Sequence, residues 1–223
     1  MREKRKKRRI RLLKLIVLAL IIYLIITVFF SVMGSNIRNI YVVGNSVLSE
    51  QEIIDIAGIS DYPSFFETPT FTIRNRLLAT DIIKDVRVRK GWFNKVTIEV
   101  TEFRPLFSKN NQLVLEDGTR IENTFLVSVP ILVNRVPDTQ LMRLLTEMNK
   151  IDKNILRMIS EIEYRPNDVD PNRFLLHMND GNVVYVTLDR FTNIDRYDSI
   201  LPTLEGRQGI LYLDFGGHFE ERN

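Results

Sequence analysis

His177 and His218 are the only histidines in the chain, and there is no cysteine. Without a thiol, no cysteine nucleophile, disulfide or thiolate-ligated metal site can form. No pattern places either histidine beside a nucleophile or in a metal set, and His177 lies in a predicted strand and reads as a strand residue rather than a general base. Neither a Gly-x-Ser-x-Gly elbow nor a phosphate-binding loop is present. Asp168-Val169-Asp170 carries two carboxylates that could hold a cation. Pro166, Asn167, Pro171 and Asn172 flank it, and a polar turn is the better reading. Glu116-Asp117 runs into the turn pair Asp117-Gly118, and Glu161 and Glu163 alternate with Ile162 as the solvated side of a strand. The expectation is a chain with no catalytic, metal-binding or cofactor-binding set, so that function falls to its surfaces.

Those surfaces are organised by residues 15–33, LIVLALIIYLIITVFFSVM, a run without a charge. At about 1.5 Å per residue it spans roughly 30 Å as a helix, the hydrocarbon thickness of a bilayer. Nine basic residues and one acid precede it, and the segment just beyond carries only Arg38. The positive-inside rule places the N-terminus in the cytoplasm and everything from about residue 35 outside it. The competing reading is a cleaved secretory signal ending near residues 32–34, which the length of the apolar run opposes. Among the basic residues, Arg5, Lys6, Lys7, Arg8, Arg9 and Arg11 are assigned to anionic lipid headgroups rather than to nucleic acid. With the tail set aside, 22 basic and 27 acidic residues remain, so the exported part is mildly acidic.

Beyond the span, residues 37–43 read as a strand ending at the turn pair Gly44-Asn45. Ser49-Glu50-Gln51-Glu52 is a capping box for a helix that ends at Gly58, with Ile53, Ile56 and Ala57 on its apolar face. A loop with Pro63, Pro69 and three aromatics leads to a second helix over residues 72–79. Val86 and Val88, then Val96, Ile98 and Val100, alternate with polar residues as two hairpin strands. At their tip Trp92 and Phe93 either meet the membrane or a partner, or fold back on the sheet.

In the remaining segment, Asp117-Gly118 and Asp180-Gly181 each sit between strand-like runs and predict two hairpins. Leu141, Leu144, Leu145, Met148 and Ile151 recur at helical spacing. Residues 160–165 read as a strand, residues 192–204 as a helix burying Ile194, Tyr197, Ile200, Leu201 and Leu204, and residues 209–215 as a closing strand.

The order strand, helix, helix, strand, strand, with Gly44-Asn45, the LSEQEI stretch and the closing Glu102-Phe103-Arg104-Pro105, resembles a POTRA domain. A basic tail, one span and one such unit resemble the bacterial cell-division family DivIB/FtsQ. The implied fold class is α+β: a single N-terminal transmembrane helix, a β-α-α-β-β POTRA domain, and a mixed, mainly antiparallel β domain with helices. The divisions are a basic tail over 1–14, the span over 15–34, POTRA over 35–104, the β domain over 105–216 and a terminal tail or partner-binding extension over 217–223. The resemblance implies a non-enzymatic divisome scaffold that helps control septal peptidoglycan synthesis. Its implied partners are single-span division proteins of the DivIC/FtsB and FtsL type. The implied contact surface is Tyr212, Asp214, Phe215, Gly217, His218, Phe219 and Glu220, reached by strand pairing at a free sheet edge. The family often closes its last strand with Asp-Leu-Arg-Tyr, where this chain has Asp214-Phe215-Gly216-Gly217. Two other classes stand beside this reading: a membrane-anchored cell-wall enzyme, which would need the missing nucleophile or metal ligands, and a POTRA chaperone or export module, which would ordinarily carry tandem units and a barrel.

Overall fold

The structure is a computed structural model that describes residues 2–33, 35–125 and 127–222; the side chains of 2–12, 32 and 33 lie outside the description. Helix α1, Arg2–Met33, includes the basic tail, so the tail continues the helix of the span. Within it Leu13–Ser31 is long and apolar enough to cross a membrane, and none of that stretch is buried. The chain then forms two units, divided between Glu102 and Phe103.

In the first unit, β1 (Asn39–Val43), α2 (Glu50–Ala57), α3 (Thr70–Leu78), β2 (Ile83–Gly91) and β3 (Lys95–Glu102) follow the expected order. The sheet order is β1-β3-β2, with β1 parallel and β2 antiparallel to β3. Ile53 and Ala57 of α2 and Ile73 and Leu77 of α3 are buried with Val86, Val96, Ile98 and Val100 of the sheet. The capping box is formed in both directions: the Glu52 amide donates to Ser49 Oγ at 3.2 Å, and the Ser49 amide donates to Glu52 Oε2 at 2.8 Å. Helix α3 starts two residues before its expected position, with the extended Pro69 as its N-cap.

Glu102, the last residue of β3, closes this unit. Its carboxylate accepts from the amides of Ser46 at 2.7 Å, Val47 at 2.7 Å and Leu48 at 3.1 Å, and from the Ser46 hydroxyl at 2.9 Å. Three consecutive amides pointing at one anion fix the turn between β1 and α2.

The second unit is built on one sheet that contains nine strands among the described residues. They are β4 (Pro105–Lys109), β5 (Gln112–Leu115), β6 (Arg120–Glu122), β7 (Ile131–Leu132), β8 (Ile159–Tyr164), β9 (Arg173–Met178), β10 (Val183–Thr187), β11 (Gly209–Tyr212) and β12 (His218–Glu221). Their order is β12-β11-β10-β9-β8-β7-β4-β5-β6. Five of the eight neighbouring pairs are antiparallel, so the sheet is mixed and mainly antiparallel. Asp117-Gly118 and Asp180-Gly181 turn between β5 and β6 and between β9 and β10, as their residue pairs predict. Helix α4 (Asp138–Met148) buries Leu141, Leu144, Leu145 and Met148, and α5 (Lys153–Met158) follows it. Arg104 closes the end of α4, donating to the carbonyls of Met148 and Ile151, each at 3.0 Å.

The helix expected over 192–204 is a different object. Residues 188–196 form 3₁₀ turns, α6 is only Tyr197–Ile200, and a further 3₁₀ turn carries Pro202. Leu188, Phe191, Ile194 and Tyr197 are buried at a spacing of three, which matches the 3₁₀ period rather than 3.6, and Leu204 is buried beyond them. Ile200 and Leu201 pack against the core while only partly buried.

Replacing Glu102 by Ala should lower the stability of the first unit by about 2–3 kcal/mol, since hydrogen bonds to a charged group are worth about 1.5–3 kcal/mol each and water replaces part of the loss. Urea denaturation with amide exchange at Val47 and Leu48 would measure it, and Glu102→Gln should fall between Ala and the parent. The Ser49 hydroxyl and then the Ser49 amide hold the Glu52 carboxyl below its ordinary range. The capping contribution is therefore complete above the ordinary glutamate pKa and fades as pH falls through the depressed value. A carboxyl NMR titration of Glu52 should show a midpoint below that of the same residue in the urea-unfolded chain.

Candidate functional site

The C-terminal edge of the nine-stranded sheet starts from β10. Along it β11 runs parallel, with Val183, Val184 and Tyr185 opposite Ile210, Leu211 and Tyr212. The closing strand therefore ends at Tyr212, not at residue 215, and it is an interior strand rather than a free edge. The edge is β12, antiparallel to β11, with Tyr212 opposite His218, Leu211 opposite Phe219, Ile210 opposite Glu220 and Gly209 opposite Glu221. A strand reading misses β12 because His-Phe-Glu-Glu carries one apolar residue and no alternation long enough to register.

The turn Asp180-Gly181 holds this corner in place. Gln208 Nε2 donates to the Asp180 carbonyl at 2.7 Å, Asn182 Oδ1 accepts from the Gly209 amide at 2.8 Å, and the buried Tyr197 hydroxyl donates to Asp180 Oδ2 at 2.6 Å. Burial, and next the hydrogen bond to Asp180, push the Tyr197 phenol well above its ordinary pKa, so it remains a donor. Gly209 is required by contact: a Cβ there would run into the Glu220 carbonyl oxygen and the Phe219 ring. This close approach lets β12 lie against β11.

Ladder alternation decides which groups of β12 face outward. The Arg222 amide donates to the Gln208 carbonyl at 2.9 Å, while on the other side of β11 the Leu213 amide donates to the Tyr185 carbonyl at 2.9 Å. His218 and Glu220 thus face β11, and the main-chain groups of Phe219 and Glu221 point away from the sheet.

The implied surface residues separate into three environments. Tyr212 stacks between Tyr185, with ring centroids 5.3 Å apart, and His218, at 6.0 Å, and its hydroxyl donates to Glu220 Oε2 at 3.1 Å. Arg173 caps this row, its guanidinium 3.5 Å from the Tyr185 centroid. Asp214 turns inward, where Arg173 Nε donates to its Oδ2 at 2.7 Å; it serves first as the anchor of the turn. Phe215 projects from the turn and is 86% exposed, whereas Phe219, expected as the apolar contact, is partly buried against the core. Gly216 and Gly217, both at positive φ, complete the turn, beside a depression lined by Arg190, Asn193, Arg196 and Leu213.

Elsewhere, His177 lies on β9 with its Nε2 3.7 Å from Glu163 Oε2. Asn167 Oδ1 accepts from the Val169 and Asp170 amides, so the Asp168-Asp170 stretch is a closed polar turn. No cluster that could hold a metal occurs among the described residues. Arg5, Lys6, Lys7, Arg8, Arg9 and Arg11 lie on the first turns of α1, with side chains outside the description.

Residues 35–103 match the POTRA domain, FtsQ-type. The cell division protein DivIB of Bacillus subtilis strain 168 is 28% identical over 230 residues, covering 99% of this chain and 88% of that protein. DivIB of Bacillus anthracis is 26% identical over 230 residues, covering 98% and 86%. Among solved structures, the major extracytoplasmic domain of DivIB from Geobacillus stearothermophilus matches with a TM-score of 0.39 and 22% identity, covering 47% of this chain and 96% of that one.

Substituting Gly209 by Ala should detach β12 while leaving β8 to β10 in place. Amide exchange at His218 and Glu220 should rise by at least tenfold, with Leu176 and Val184 unchanged.

Proposed function

We propose, from the premise that this chain carries an FtsQ-type POTRA domain and is related to the cell division protein DivIB along nearly its whole length, that it is a non-enzymatic scaffold of the division machinery. Its role in cell division is supported by those relatives. The finer reading is that it gathers single-span division proteins of the DivIC/FtsB and FtsL type at the septum and thereby helps control septal peptidoglycan synthesis.

The observation that carries this reading is the edge strand β12. It presents the main-chain groups of Phe219 and Glu221 outward, next to the exposed ring of Phe215. A partner's strand added there gains hydrogen bonds along the edge, and Phe215 supplies an apolar contact. Tyr212, His218 and Glu220 form the flanking polar row, and Asp214 and Gly217 shape the turn. With α1 as a membrane anchor and the N-terminus cytoplasmic, the partners share one bilayer. Confinement raises their effective concentration, so a short strand contact is sufficient. The basic residues Arg5 to Arg11 hold the cytoplasmic end against anionic headgroups.

The test uses the full chain reconstituted in vesicles with a DivIC-type partner. Glu221→Pro removes an outward amide without touching the ladder to β11, and should reduce co-purification at least tenfold. Glu221→Ala should leave it within twofold. Equal binding by both variants would rule out pairing at β12. In cells, a fluorescent fusion to the tail should form midcell bands, and an even envelope signal would count against the septal role.

A further inference from the structure

The hairpin tip between β2 and β3 is open to solvent. Trp92 is 90% exposed and Phe93 86%, so the alternative in which they fold back on the sheet does not hold. Phe93 also sits at φ 61° and ψ 33°, in the left-handed region that bulky side chains rarely adopt. The tip therefore holds two large aromatic rings in water on a strained backbone, and nothing in the POTRA core uses them.

The location of the tip names its occupant. Asn94 Nδ2 donates to the Asn36 carbonyl at 2.8 Å, and the Arg38 amide donates to the Asn94 carbonyl at 3.0 Å. Asn36 is three residues beyond Met33, the last residue of α1, and three residues reach at most about 11 Å. The headgroup layer on each side of the hydrocarbon is roughly 5–8 Å thick. The tip is thus tied to a segment that cannot leave the vicinity of the bilayer surface.

The same end of the domain has other features of a lipid contact. The loop holding Tyr62 and Phe66, which are 47% and 42% exposed, is joined to the juxtamembrane segment by the Ile37 amide donating to the Pro63 carbonyl and the Phe65 amide to the Ser35 carbonyl, each at 2.9 Å. No acidic residue occurs between Asp85 and Glu99, whereas Arg87, Arg89, Lys90 and Lys95 do. Lys90 donates to the Phe65 carbonyl, Lys95 lies 4.2 Å from the Tyr41 ring centroid and Arg89 pairs with Glu99 at 2.9 Å, so two lysines flank the base of the aromatic tip. Aromatic rings flanked by cations are the side chains that settle at the membrane–water interface.

We propose that the Trp92–Phe93 tip inserts into the headgroup layer of the same anionic phospholipid bilayer that α1 crosses, giving the POTRA domain a second membrane contact. This rests on the membrane-anchored reading of α1. The contact holds the domain at the bilayer surface and limits its rotation about the anchor.

Trp92 is the only tryptophan in the chain, so tryptophan emission, excited at a wavelength that tyrosine does not absorb, reports on the tip alone. The chain is reconstituted into phosphatidylcholine–phosphatidylglycerol vesicles, and flotation first establishes that it travels with them. Emission should then be blue-shifted, at least halved by lipids brominated on the upper acyl chain, and protected from acrylamide. Phe93→Gly, which relieves the backbone strain, should reduce the quenching by brominated lipid. Vesicle-bound protein whose Trp92 stays fully open to acrylamide and insensitive to brominated lipid would overturn the tip contact while the anchor stands. So would protection that arises only on adding a partner protein. Failure of the chain to float would overturn both.

Discussion

Two residues apart, Glu102 and Arg104 satisfy the exposed backbone ends of the elements beside them. The Glu102 carboxylate collects the amides of Ser46, Val47 and Leu48, where the chain turns from β1 into α2. The Arg104 guanidinium donates to the Met148 and Ile151 carbonyls, where α4 has ended and no further turn supplies N–H donors. Helix ends and tight turns leave groups that must find a partner or water, and a charged side chain is the strongest partner available. Each unit thus draws a closing interaction from the same short stretch of chain. This gives a physical reason for Glu-x-Arg-Pro at this point, where the resemblance supplies only a pattern.

A second constraint governs the sheet of the second unit. Among the described residues, nine strands in an open order leave two edges, and the C-terminal one is made by a strand of four residues. Short length and charge are how sheets ordinarily discourage unwanted pairing, and Glu220 and Glu221 supply the charge. The row Arg173, Tyr185, Tyr212 and His218 runs from β9 to β12 and stiffens this corner. A surface that recognises another strand benefits from such stiffness, because less entropy is lost when the partner docks.

The exposed apolar features are split between the two units. The apolar helix and the aromatic tip belong to the first unit, while the exposed edge and Phe215 belong to the second. The acidic and imidazole groups singled out in the sequence have local work in the fold: Asp117 and Asp180 shape hairpin turns, Glu163 faces Arg165 and His177, and Asp170 accepts from Asn172.

By itself the sequence determined whatever depends on neighbours along the chain. The helix over the uncharged run, the reciprocal capping of α2 by Ser49 and Glu52, and the two Asp-Gly hairpins are all local in origin, and each stands as read. Tertiary structure alone decided the elements whose partners are distant. Strand β4 is buried on both faces and shows no alternation, and β7 is two residues wedged between β4 and β8. Residues 188–197 bury every third side chain because 3₁₀ turns, rather than a helix, fit the sheet beneath. Above all, the edge passed from β11 to β12. Strand neighbours are chosen by main-chain hydrogen bonds, which carry no residue signature, and here by the close approach that Gly209 permits.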